Sequence, residues 1–149
     1  MRFRAALIGI VATMFAATGA AATVRIGDDV GGRIGTYVDQ FAQVRASGER
    51  VAIDGPCLSA CTLVLGIVPR DRICVTRRAM LGFHAAWMPG PHGQRVPSAV
   101  GTRALWDLYP QHVRRWISAR GGLSPKMMFL RGRELMSMYP LCHGEAGIH

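Results

Sequence analysis

Two side chains in this chain have the chemistry for acyl transfer, Ser59 and His84, which stand 25 residues apart. A serine hydroxyl is almost never ionised at neutral pH, so it becomes a nucleophile only beside a base, and histidine is the usual one. Ser59 follows a tight turn and opens an apolar helix. That setting gives its hydroxyl the positive end of the helix and leaves the Ala60 N–H free to face a developing oxyanion. The same setting suits an ordinary N-cap serine, so Ser59 alone does not decide between the two. His84 ends the apolar run Met80–Phe83, where an imidazole can be delivered to a site built from neighbouring strand ends, or can be a structural histidine. The pair Gly31-Gly32 precedes a helix; glycine there permits close backbone approach and unpaired N–H groups, or is simply a turn.

The elements that must position these residues are short. Thr23 to Val30 is a strand or an extended lead-in. Ile34, Tyr37, Val38, Phe41 and Val44 recur at three- and four-residue steps, which predicts an amphipathic helix ending at Ser47-Gly48. Val51-Ala52-Ile53 reads as a buried strand, Asp54-Gly55-Pro56 as a turn, and Thr62 to Val68 as a helix buried on all sides and closed by Pro69. Ile73–Thr76 and Ala79–Phe83 read as two extended pieces. Met88 to Pro97, rich in proline and glycine, reads as a surface loop. Leu105, Tyr109, His112 and Trp116 mark a helix face with Trp106, Val113 and Ile117 beside it, and Pro110 is placed to kink or split it. Ser124-Pro125 predicts a capped last helix from about Pro125 to Met138. The order fits an α/β fold with largely parallel strands.

The N-terminus has its own signature. Arg2 and Arg4 are followed by an apolar run from Ala5 to Ala17 and by Ala20-Ala21-Ala22, the layout of a cleavable signal peptide. The run is shorter than the roughly 20 residues a membrane span needs. The expectation is a signal peptide over 1–22 and one domain over 23–149, exported to the periplasm or secreted, with no stable membrane anchor after cleavage. The formal net charge of +9 becomes +7 without Arg2 and Arg4, and 17 of the 18 basic residues are arginine. They are scattered, as at Arg77-Arg78 and Arg114-Arg115, instead of forming the stripe that phosphate binding needs, which argues against nucleic acid. Export makes Cys57, Cys61, Cys74 and Cys142 candidates for two disulfides, with three pairings open. A zinc site using these cysteines with His84 or His143 is the alternative, although no Cys-x-x-Cys pair is present. No metal or other cofactor is expected.

Together, the glycine pair, amphipathic helix, short strand, Ser59, buried helix and His84 resemble the core of the Clp protease proteolytic subunit, within the Clp protease/crotonase superfamily. The resemblance runs from about Asp29 to Ala86 and, more loosely, from Leu105 to Ser137, where Arg120-Gly121-Gly122-Leu123-Ser124 is similar to the turn before the family's last core helix. It implies a repeated ββα spiral core, here truncated at the N-terminus and lacking the portion that serves ring assembly and chaperone contacts. It further implies Ser59 as nucleophile, His84 as base, and the N–H groups of Gly32 and Ala60 as oxyanion hole. For the third member it points to Glu134, after Arg133, with Asp107 a weaker substitute. The implied activity is hydrolysis of a peptide or ester by a chain that could form a homo-oligomer. The alternative is a non-catalytic periplasmic binding or assembly module that keeps the fold.

Overall fold

The computed structural model describes residues 22–143. The signal-peptide expectation falls almost wholly outside these residues. Among them, no helix is long and apolar enough to cross a membrane.

Two small sheets carry a mixed α/β fold. In the first, β1 (Thr23–Ile26), β2 (Arg50–Ile53) and β4 (Ile73–Val75) run parallel with β2 in the middle, registered Val24 to Val51 and Val51 to Ile73. The Thr23 segment is therefore a strand. In the second sheet, β5 (Met80–Phe83) is central, paired in parallel with β3 (Pro56–Leu58) and antiparallel with β8 (Met128–Arg131). Single bridges, Asp29 to Cys57 and Val75 to Leu141, link strand ends to neighbouring chain. Val51, Ile53, Ile73, Val75, Leu81 and Phe83 are all fully buried, as the uninterrupted apolar runs of strands covered on both faces require.

Helix α1 (Ile34–Ser47) buries Phe41 and Val44 and stops at Gly48, which adopts φ 79°. The apolar stretch after Ser59 is not one regular helix. It is a 3-10 turn, Ser59–Leu63, continued by a single α-turn, α2 (Val64–Ile67), and it is buried except at Ser59 and Gly66. Pro110 does split the next helical region, into α3 (Ala99–Leu108) and α4 (Gln111–Ser118). The Ser98 hydroxyl caps α3 by accepting from the Gly101 N–H at 3.0 Å.

Three expectations are corrected. Met88 to Pro97 is a hairpin, β6 (Trp87–Pro89) and β7 (Arg95–Pro97), because each of the two terminal prolines lies where the missing N–H costs no ladder bond on an exposed two-stranded ribbon. Pro125 to Met138 is a strand and a short helix, β8 and α5 (Gly132–Met138): antiparallel pairing with β5 overrides the helical pattern, and Gly132 at φ 59° makes the corner. Ser124 accepts from the Lys126 N–H at 3.2 Å, a local turn instead of a helix cap. Pro56 is not in a turn but begins β3.

All four cysteines form disulfides, Cys57–Cys61 and Cys74–Cys142, which leaves no thiol for the zinc alternative.

Candidate active site

The chain turns sharply from β3 into the 3-10 helix at Ser59, and Ser59 is the one non-glycine residue among those described with a positive φ, 55°. The left-handed region costs a residue with a Cβ about 1–2 kcal/mol, so its surroundings must hold it there. The means are visible. Cys57 and Cys61, both fully buried, are bridged across the turn. The Thr62 hydroxyl donates to the Ser59 carbonyl at 2.6 Å. Since that uses its only proton, the Tyr109 hydroxyl must be the donor in the 2.7 Å bond between Tyr109 and Thr62. Burial pushes the Tyr109 phenol up to about 12, which keeps it protonated for this role.

His84 is set from the other side. Phe83, its neighbour, packs edge-on against Tyr109 at 5.4 Å and against Trp116 at 5.7 Å, anchoring the end of β5. The next residue, Ala85, donates its N–H to the Ser124 carbonyl at 2.7 Å. The result is a direct contact, His84 Nε2 to Ser59 Oγ at 2.8 Å, with His84 Nδ1 2.7 Å from the Ala85 carbonyl. A carbonyl only accepts, so Nδ1 carries the proton and Nε2 presents its lone pair to the serine hydroxyl. This is the tautomer a general base needs. His84 is about nine-tenths buried.

Ser59 and His84 open on a cleft of about 380 Å3 that Gly31 and Gly32 also line. Gly31 has φ 84°, and a Cβ there would lie 2.5 Å from the Leu58 carbonyl and 2.6 Å from Ser59 Cβ. No other residue fits so close to Ser59. Asp29, which the sequence did not single out, holds this turn: its Oδ1 accepts from the Gly31 N–H at 2.8 Å and from the Tyr37 hydroxyl at 2.6 Å. Burial first, then the bond to Asp29, pushes the Tyr37 phenol up to about 12. The Cys57–Cys61 bridge lies beneath Ser59, which stays half-buried and lines the cleft, so the bridge braces the turn without sealing it.

The third position differs from expectation. Glu134 is half-exposed and ion-paired with Arg120, so the structure does not bring it to His84. Asp107 lies exposed on α3. The group against Nδ1 is the backbone carbonyl of Ala85, which no side-chain pattern announces. The remaining walls of the cleft, among them Arg33, Trp87, Arg95 and Met127, were also absent from the sequence reading.

No family model matches the chain, and no curated protein matches it. Solved structures do. A peptidase from Plasmodium falciparum aligns over 84% of this chain and 79% of its own, at 7% identity and a TM-score of 0.45. A ClpP1 variant from Listeria monocytogenes aligns over 80% of this chain and 71% of its own, at 12% identity and a TM-score of 0.46.

Proposed function

We propose that this protein is a serine hydrolase acting on peptide or ester carbonyls, exported and freed of its signal peptide, on a shortened ββα spiral of the Clp protease/crotonase kind. The observation that carries the reading is the 2.8 Å contact of Ser59 Oγ with His84 Nε2, in the tautomer that the Ala85 carbonyl dictates.

In the first step His84 Nε2 takes the Ser59 proton as Oγ bonds to the substrate carbonyl carbon. The charge that develops on the carbonyl oxygen needs fixed donors. Ala60 supplies one N–H from the first turn of the 3-10 helix. Gly31 gives its N–H to Asp29, and the neighbouring Gly32 N–H is our candidate for the second donor, the role that the family resemblance also implies. His84 then passes the proton to the leaving oxygen or nitrogen as its bond to carbon breaks. Water, deprotonated by the same imidazole, releases the acyl group and restores Ser59. Throughout, the Ala85 carbonyl keeps the imidazole oriented, but it offers the imidazolium only a dipole where a triad offers a full charge. That feature also favours the second reading, a binding module whose dyad is catalytically silent.

The two separate cleanly. A fluorophosphonate probe, read by intact mass, is expected to add once to the oxidised protein and not at all to Ser59→Ala or His84→Ala. Ester hydrolysis should fall by a factor of about ten thousand or more in Ser59→Ala. A folded wild-type protein that takes no adduct would establish the binding module instead.

A further inference from the structure

The cleft around Ser59 is lopsided in charge. Two arginines line it, Arg33 and Arg95, and among the described residues no aspartate or glutamate does. Asp29, adjacent in sequence to the lining residue Val30, directs its Oδ1 to Tyr37 and Gly31. Arg33 sits immediately after Gly32, at the start of α1, and is exposed. Arg95 comes from β7, and its guanidinium carbon stands 4.7 Å over the ring of Trp87, another cleft residue. Stacking on an indole holds an arginine in place while leaving its N–H fork free in the ring plane.

Two cations lining one cleft repel, and no carboxylate among the described lining residues neutralises them. A ligand that brings a carboxylate removes that repulsion and gains charge-assisted hydrogen bonds from planar forks suited to it. We propose, building on the hydrolase reading above, that the site selects substrates carrying a carboxylate close to the scissile carbonyl, with Arg33 and Arg95 as the residues that hold it. Trp87 orders Arg95, and Val30 and Met127 supply apolar wall for the connecting carbon chain.

The test compares umbelliferyl hexanoate with the umbelliferyl monoester of adipic acid, its carboxylated counterpart of equal chain length. A second pair places the carboxylate on the leaving side: hexanoate esters of umbelliferone and of a coumarin bearing a carboxymethyl group. All are run on the oxidised protein, with fluorophosphonate labelling of the same sample. The expected result is kcat/KM higher by about tenfold for the carboxylated member of at least one pair, shrinking as ionic strength approaches about 1 M. Arg33→Gln with Arg95→Gln should bring the ratio to within about twofold of unity, while Arg95→Lys, which keeps the charge, should retain most of it. Arg45→Gln, at the far end of α1, controls for the general basicity of the protein and should leave the ratio unchanged.

Labelling together with equal rates on both members of both pairs would overturn the inference and leave the hydrolase standing. So would a preference that survives the double substitution. Absence of both labelling and hydrolysis would overturn the hydrolase reading and this inference with it.

Discussion

The two disulfides sit in regions that ask different things of a crosslink. Cys57–Cys61 spans four residues and straddles Ser59; Cys74–Cys142 spans 68 residues and fastens the end of the described chain to the edge of the first sheet. The entropy removed from the unfolded chain grows with the logarithm of loop length, which gives about 4 kcal/mol for the long bridge and about 2 kcal/mol for the short one. The long bridge is a tie for the fold. The short one adds less to global stability, but it acts on Ser59, the one non-glycine residue among those described whose backbone is left-handed. Position, and not bond type, decides whether a crosslink serves stability or geometry.

Four experiments break or sharpen this contrast. Replacing Cys74 and Cys142 together by alanine should cost the most stability, about 4 kcal/mol or on the order of 15 °C in Tm, with the labelling rate of Ser59 unaltered well below the transition. Replacing Cys57 and Cys61 together by alanine should cost about 2 kcal/mol in denaturant melts. Its larger effect should be on chemistry, slowing fluorophosphonate addition by about tenfold to a hundredfold, because a displaced nucleophile loses rate steeply. If the labelling losses came out in the reverse order, the division between tie and brace would fail. Ser59→Gly should be more stable than Ser59→Ala by about 1 kcal/mol in urea melts, since glycine tolerates the left-handed backbone that alanine does not. Equal stability would mean that the turn relaxes once the hydroxyl is gone.

The smallest expected effect concerns Asp54, a non-covalent tie just before the strand that leads into Ser59. Its carboxylate is buried, is ion-paired with Arg78 and Arg25, and accepts from the Thr76 hydroxyl at 2.8 Å. The hydrogen bond from Arg78 first, then that from Thr76, brings its pKa down to about 2. A folded-state value below the ordinary one of about 4 stabilises fully above about pH 4, and that stabilisation fades as pH falls towards about 2. Asp54→Asn should therefore flatten the acid limb of the stability curve between those limits. An unchanged limb would assign acid sensitivity to other carboxylates.

Much of this site was legible because strand ends are legible. Ser59 and His84 each follow a short apolar run bounded by turn residues, and parallel pairing of β3 with β5 brings such ends together. Gly31 was visible only as half of a glycine pair; the need for glycine arises from the Leu58 carbonyl and Ser59 Cβ, contacts distant in sequence. The partner of His84 Nδ1 was not legible at all, because every residue has a carbonyl and only the tertiary fold selects Ala85. The choice of Glu134 failed for the complementary reason: a carboxylate following an arginine on a surface helix has nearer cations to meet, and Arg120 takes it. The strand β8 was hidden by a respectable helical pattern that pairing with β5 overrode. Disulfide pairing is set by which strand ends approach, and spacing does not encode that.

The longer disulfide also has a topological side. Together with the backbone from Cys74 to Cys142 it closes a covalent ring that contains the hairpin, α3, α4, β8 and α5. His84 is a member of that ring, whereas Ser59 stands on the tail outside it. A protease that nicks the exposed hairpin between Pro89 and Arg95 opens the ring without dividing the molecule: Ser59 and His84 lie together on the fragment before the nick, and the fragment after it, which carries the cleft residues Arg95 and Met127 and the strand β8 that pairs with β5, stays tethered through Cys142 until the bridge is reduced.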